Sequence, residues 1–123
     1  GEPEMANILL VDDDAAARDM LKHGLSNDGH RVTVAGDGQE VLDGDLTAGV
    51  EIVVSDISMP VVDGITLAET LLAKLPNLPI VLMSAIADEL KRAQNVGGGN
   101  VRVIGKPDTL EQLKSEISAL LSS

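Results

Sequence analysis

Five short apolar runs punctuate the chain: Ile8–Val11, Val32–Ala35, Ile52–Val54, Ile80–Met83 and Val101–Ile104. Each has the length of a strand and is too short for a helix. Segments of helical period separate them. From Ile65 to Leu75, residues Ile65, Ala68, Leu71, Leu72 and Leu75 share one helical face, and Leu110, Leu113, Ile117, Leu120 and Leu121 do the same near the end. Strands alternating with helices predict an α/β domain in which crossover helices join parallel strands.

Capping residues mark where the helices begin. Asp37 with Glu40, and Asp108 with Glu111, have capping-box spacing, and Asp14 precedes the helix-forming run Ala15-Ala16-Ala17. The first, third and fourth runs are continuously apolar, as strands covered on both faces should be. Val32-Thr33-Val34 and Val101-Arg102-Val103 alternate, which marks the second and fifth strands as edges. Right-handed crossovers and these two edges are satisfied by a doubly wound, five-stranded parallel sheet of order 2-1-3-4-5 with five helices, the flavodoxin-like arrangement. In such a sheet ligands bind where the winding reverses, between the carboxyl ends of the first and third strands.

Composition narrows the classes. At 123 residues and 44% apolar, the chain can close one core without disulfides, and it contains no cysteine to form any. The domain is expected over residues 7–122, with 1–6 a tail whose first residues, Gly1 to Glu4, read as a cloning remnant. No apolar run is long enough to span a bilayer and nothing resembles a signal peptide, so a cytoplasmic location without membrane contact is expected. Twenty acidic against nine basic side chains give a net charge of −11, and Phe, Tyr and Trp are absent. The field repels a phosphate backbone and base-stacking platforms are missing, which argues against direct nucleic-acid binding.

The candidate chemistry lies at the strand ends. Asp12 and Asp13 follow the first run, Asp56 the third, Ser84 the fourth and Lys106 the fifth. Taken alone, Asp12-Asp13-Asp14 reads as a solvated turn and helix cap, Ser84 as a capping serine, and Lys106 as a surface lysine before Pro107. Together at one edge of a sheet they differ. Converging carboxylates repel, and the remedies are a proton or a hard cation, for which Mg²⁺ is the natural occupant. The loop Ile57-Ser58-Met59-Pro60 with Asp63-Gly64 stops the third strand and is expected to expose the Asp56 carboxylate. Gly97-Gly98-Gly99 reads as a helix stop. His23 and His30 lack a partner at metal spacing and are expected to face solvent, and Met5, Met20, Met59 and Met83 read as packing or loop residues.

In order and spacing, Val11-Asp12-Asp13-Asp14, Ser55-Asp56-Ile57-Ser58-Met59-Pro60 with Asp63-Gly64, Ser84-Ala85 and Lys106-Pro107 resemble the receiver domain of two-component response regulators over nearly the whole chain. The resemblance implies that Asp56 accepts a phosphoryl group from a histidine kinase or phosphotransfer protein. It implies that Asp13 binds Mg²⁺, with Mn²⁺ as its substitute, that Asp12 acts through metal-bound water, and that Asp56 and the Ser58 carbonyl complete the protein ligands. Lys106 would pair with the phosphoryl oxygens, reached across a cis Lys106–Pro107 bond, and Ser84 would hydrogen-bond them. Such a module is not an enzyme on a separate substrate. Its chemistry is self-directed phosphoryl transfer and autodephosphorylation, and its output is binding to a protein target or pairing with a second copy on phosphorylation.

Two positions depart from the family pattern. Val103, three residues before Lys106, and Asp108, after Pro107, stand where the family usually carries aromatics. The usual aromatic switch cannot operate, so output is expected to run through displacement of the segment from Ser84 to Ala93. Ser58 and Ile86 match the family's tuning positions for phosphoryl lifetime. Two rival readings are a receiver-fold scaffold that signals without phosphorylation and an aspartate-nucleophile phosphohydrolase. The second is disfavoured by Ser58, where those enzymes place a second aspartate, and by a length that leaves little room for a substrate cap.

Overall fold

A computed structural model describes residues 5–97, 100–106 and 109–122. Five strands alternate with five helices: β1 (Asn7–Val11), α1 (Ala15–Asn27), β2 (Arg31–Ala35), α2 (Gly38–Gly44), β3 (Ile52–Asp56), α3 (Gly64–Lys74), β4 (Ile80–Ser84), α4 (Ala87–Ala93), β5 (Val101–Gly105) and α5 (Thr109–Leu121). All strand pairs are parallel, in the order β2-β1-β3-β4-β5. The expected doubly wound topology is therefore the observed one, with β2 and β5 at its edges.

Side-chain alternation along the buried strands divides the core in two. Leu9, Val11, Val53, Ile80 and Leu82 face one side, where they meet Val41 of α2, Leu67 and Leu71 of α3 and Ala93 of α4. Ile8, Leu10, Ile52, Val54, Val81, Met83 and Ile104 face the other, against Leu21 and Leu25 of α1 and Leu113 and Ile117 of α5. Continuous apolar runs were needed because both faces of β1, β3 and β4 are covered. With no aromatic ring available, the core is filled by branched aliphatic side chains and methionine.

Asp14 caps α1 by accepting from the amides of Ala16 and Ala17, and Asp63 caps α3 by accepting from Thr66. Asp37 likewise accepts from Glu40, but the Glu40 carboxylate reaches back to the Gly36 amide, one residue before the cap. The α3 face also differs from expectation: Leu67 is fully buried, whereas Leu75 is 42% exposed. The helix ends at Lys74, and Leu75, its C-cap, leaves the helical conformation (φ −130°, ψ 77°) and with it the buried face. His30 is part-buried, its Nδ1 accepting from the Ala6 amide, so it ties the turn before β2 to the start of β1. Met5 and Met20 are exposed, Met59 and Met83 buried.

Helix α4 ends at Ala93, ahead of Gly97. The expected stop at Gly98 and Gly99, the Lys106–Pro107 bond geometry, the Asp108 cap and the tail Gly1 to Glu4 lie outside the described residues. No helix among those described is long and apolar enough to cross a membrane.

Candidate functional site

Parallel pairing fixes which side chains meet at the carboxyl edge of the sheet. Val11 is level with Ser55, Asp56 with Met83, and Ser84 with Gly105, so residues 12, 56, 84 and 106 all arrive at one rim. The Lys106 amide donates to the Ser84 carbonyl at 2.9 Å and holds the end of β5 against that of β4. Lys106 Nζ then lies 3.0 Å from Asp56 Oδ1 and 3.9 Å from Asp12 Oδ2. Carboxylate oxygens of Asp12, Asp13 and Asp56 all come within 4.8 Å of one another, with Asp13 exposed and the other two buried.

The loop after β3 does not expose Asp56 as the sequence suggested. The residue is only 6% exposed. It is the last residue of β3, and the chain beyond it folds back: the Ile57 amide donates to the Met83 carbonyl and the Gly64 amide to the Ile57 carbonyl, both at 2.9 Å. That return brings Gly64 against the Asp56 carbonyl and the Ile57 Cα, where a Cβ would collide with backbone. At the loop's crest Val61 adopts φ +67° and is 91% exposed, a left-handed conformation that β-branched residues avoid. Ser58 lies exposed in the same loop.

Burial sets the electrostatics. It raises the pKa of Asp56 above the ordinary aspartate range, and the hydrogen bond and charge of Lys106 offset only part of that rise. Asp12 is raised for the same reason, against the opposing hydrogen bond from the Asp14 amide. Burial works to lower Lys106, but its hydrogen bond to Asp56 and the surrounding carboxylates outweigh it and the net shift is upward. The site thus holds more negative charge than its single ammonium neutralises. Asp12 Oδ2 is buried without a hydrogen-bond partner, an acceptor aimed into the cluster with nothing to accept.

Two contributors escaped sequence reasoning. Arg18 Nη1 donates to the Asp12 carbonyl at 2.8 Å and steadies the β1–α1 turn from the first helix. The Ser84 hydroxyl, expected to face an anion, instead donates to Glu89 Oε1. An arginine one turn past the Asp14 cap was a weak signal for the first. A serine and glutamate five residues apart across a loop match no standard capping spacing.

The chain as a whole is similar to known proteins. Residues 8–118 match the family described as "Response regulator receiver domain". The chain belongs to that family. Among curated relatives, response regulator MprA of Mycolicibacterium vanbaalenii is 36% identical over 114 residues, covering 93% of this chain and 49% of that protein. MprA of Mycobacterium bovis is 35% identical with similar coverage. The receiver domain therefore spans about half the length of the curated relatives it matches. Among solved structures, chemotaxis response regulator CheY4 of Vibrio cholerae superposes with a TM-score of 0.81 at 26% identity, covering 95% of this chain and 99% of that one. Response regulator TrrA of Thermotoga maritima, solved in complex with Mg²⁺–BeF, gives 0.84 at 26% identity, covering 94% and 99%.

Receiver domains are phosphorylation-accepting signalling modules of two-component systems rather than enzymes acting on a separate substrate. This one carries the fold and the acidic pocket of its family and lacks the aromatic on β5. Val103 is half-buried against the core cluster containing Leu82, Ala93 and Val96. An open hollow of about 440 Å³ lies beside it, lined also by Gln94, Val101, Arg102 and Glu116.

Proposed function

We propose that Asp56 is the phosphoacceptor of this receiver domain and that a histidine kinase or phosphotransfer protein is its donor. The observation that carries the reading is the Asp56 carboxylate itself: it ends the central strand, is nearly buried, and has one oxygen held 3.0 Å from the Lys106 ammonium. That contact orients the carboxylate and leaves its other oxygen to attack. In transfer, an Asp56 oxygen forms the new O–P bond as the P–N bond to the donor imidazole breaks, and the electron pair leaves with the imidazole nitrogen. Lys106 then shifts its partnership from the carboxylate to the phosphoryl oxygens, and Ser84 donates to one of them.

The donor set suits a hard divalent cation. Asp13 would bind Mg²⁺ directly, Asp12 through water, and Asp56 with the Ser58 carbonyl would complete the protein ligands; Mn²⁺ would substitute. The orphan Asp12 Oδ2 and the three carboxylates within 4.8 Å support this assignment. The cation supplies neutralisation of the negative charge that gathers during transfer. The chain's own residues do the rest: Arg18 and Asp14 set the turn that aims Asp12 and Asp13, and the folded-back loop screens Asp56 from water. Loss of the phosphoryl group is self-catalysed hydrolysis, with Ser58 and Ile86 tuning access of water.

The aspartyl phosphate adds about two negative charges and new acceptors. Output follows as protein binding, to a target or to a second copy of the domain. The reading places the domain in the cytoplasm, where kinases draw on ATP. Fluorine NMR of the chain with Mg²⁺ and beryllofluoride tests it directly. A slowly exchanging bound signal that is absent from Asp56→Ala is expected; its absence from the wild type would overturn the assignment and favour a phosphorylation-independent scaffold.

A further inference from the structure

Helix α4 starts without a side-chain cap from its own N-cap residue, Ile86. Ser84, the last residue of β4, tethers the start of the helix from outside it. Its Oγ accepts the Ile86 amide at 2.9 Å and donates its proton to Glu89 Oε1 at 2.6 Å, so one buried hydroxyl stitches the first turn of α4 to the strand. The short distance is that of a hydroxyl bonded to a carboxylate. Ser84 is 1% exposed, and the bond from the Lys106 amide to its carbonyl fixes its backbone. Only the side chain is free to turn.

A hydroxyl has one proton to give. It cannot serve Glu89 and a phosphoryl oxygen at once. We propose that Glu89 is a positioning residue that holds the Ser84 hydroxyl off the phosphoryl site in the unmodified domain, and that phosphorylation breaks this bond and thereby unfastens α4. The inference rests on the Ser84 role proposed above. It supplies a route from Asp56 to the α4 surface that needs no aromatic at position 103. The exchange is between two charged acceptors, so its balance is set by the anion at Asp56 and the geometry Glu89 offers.

The test is beryllofluoride affinity in the presence of Mg²⁺, titrated by fluorine NMR, for the wild type, Glu89→Ala and Glu89→Gln, each with and without Ser84→Ala. Alanine removes the competing acceptor and keeps helix propensity. Glutamine keeps an acceptor oxygen but not the charge. Glu89→Ala should tighten binding about three- to tenfold, the scale of one net hydrogen bond. Glu89→Gln should tighten it less, and neither substitution should matter once Ser84 is alanine, the signature of a coupled pair. Equal tightening by Ala and Gln, or tightening that persists without the Ser84 hydroxyl, would mean only that a negative charge near an anion was removed, and overturns the proposal. No tightening overturns it as well. A wild type that binds no beryllofluoride overturns the acceptor reading first and this inference with it.

Discussion

At the scale of single residues, the site is governed by the cost of burying carboxylates. Asp12 and Asp56 bind a proton more readily in the folded chain than an ordinary aspartate, near pKa 3.9, does in an unfolded one. A group with a raised folded pKa favours folding when protonated, and that contribution disappears as pH rises through the folded value. The metal-free domain should therefore carry a stability penalty at neutral pH that fades on acidification through the window just above the ordinary aspartate range. Asp56→Asn should raise the melting temperature at pH 7 in EDTA, and the gap to wild type should narrow as pH falls toward the ordinary aspartate range. Calorimetry across that range checks both signs, and a gap that widens on acidification contradicts them. Lys106, shifted upward, contributes fully below the ordinary lysine range and plays no part in this window.

At the scale of elements, the loop between β3 and α3 is the most constrained stretch beside the site. A Cβ on Gly64 would lie 2.8 Å from Ile57 Cα and closer still to the Asp56 carbonyl, and backbone there has no room to yield. Gly64→Ala should cost about 1–3 kcal/mol or more in urea unfolding, the range of overpacking against fixed atoms. Val61 presents the opposite opportunity. Its side chain packs on nothing and its backbone is left-handed, so Val61→Asn, a residue that tolerates this conformation, should stabilise the domain by about 1 kcal/mol. The strands, the caps at Asp14 and Asp37 and the rim holding Asp12, Asp56, Ser84 and Lys106 were all legible in the sequence, because each depends on local pattern and strand order. The burial of Asp56 was not: it depends on Lys106, brought from fifty residues away, and on a loop that turns back through Gly64. The face of α3 was misjudged at Leu75 because the helix end was set one residue too far, and at Leu67 because the stripe was drawn from Ile65 whereas the buried face runs through Gly64, Leu67, Ala68 and Leu71. The Ser84–Glu89 bond was invisible because it joins a strand end to the first turn of α4 across a loop, at a spacing no capping pattern uses.

At the scale of the molecule, a net charge of −11 makes self-repulsion a general load on the fold. Monovalent salt should raise the melting temperature by screening it. Mg²⁺ at matched ionic strength should raise it further, by an amount reduced in Asp13→Asn if exposed Asp13 is the direct ligand proposed above. Equal effects of the two salts would show screening without a site.

The hollow beside Val103 has a spectroscopic consequence. A chain without tyrosine or tryptophan is dark in the near ultraviolet, so Val103→Trp would place a single emitter in that hollow, between α4 and β5. If α4 shifts when beryllofluoride binds, the emission maximum should move by several nanometres and quenching by iodide should change, with no background from any other residue.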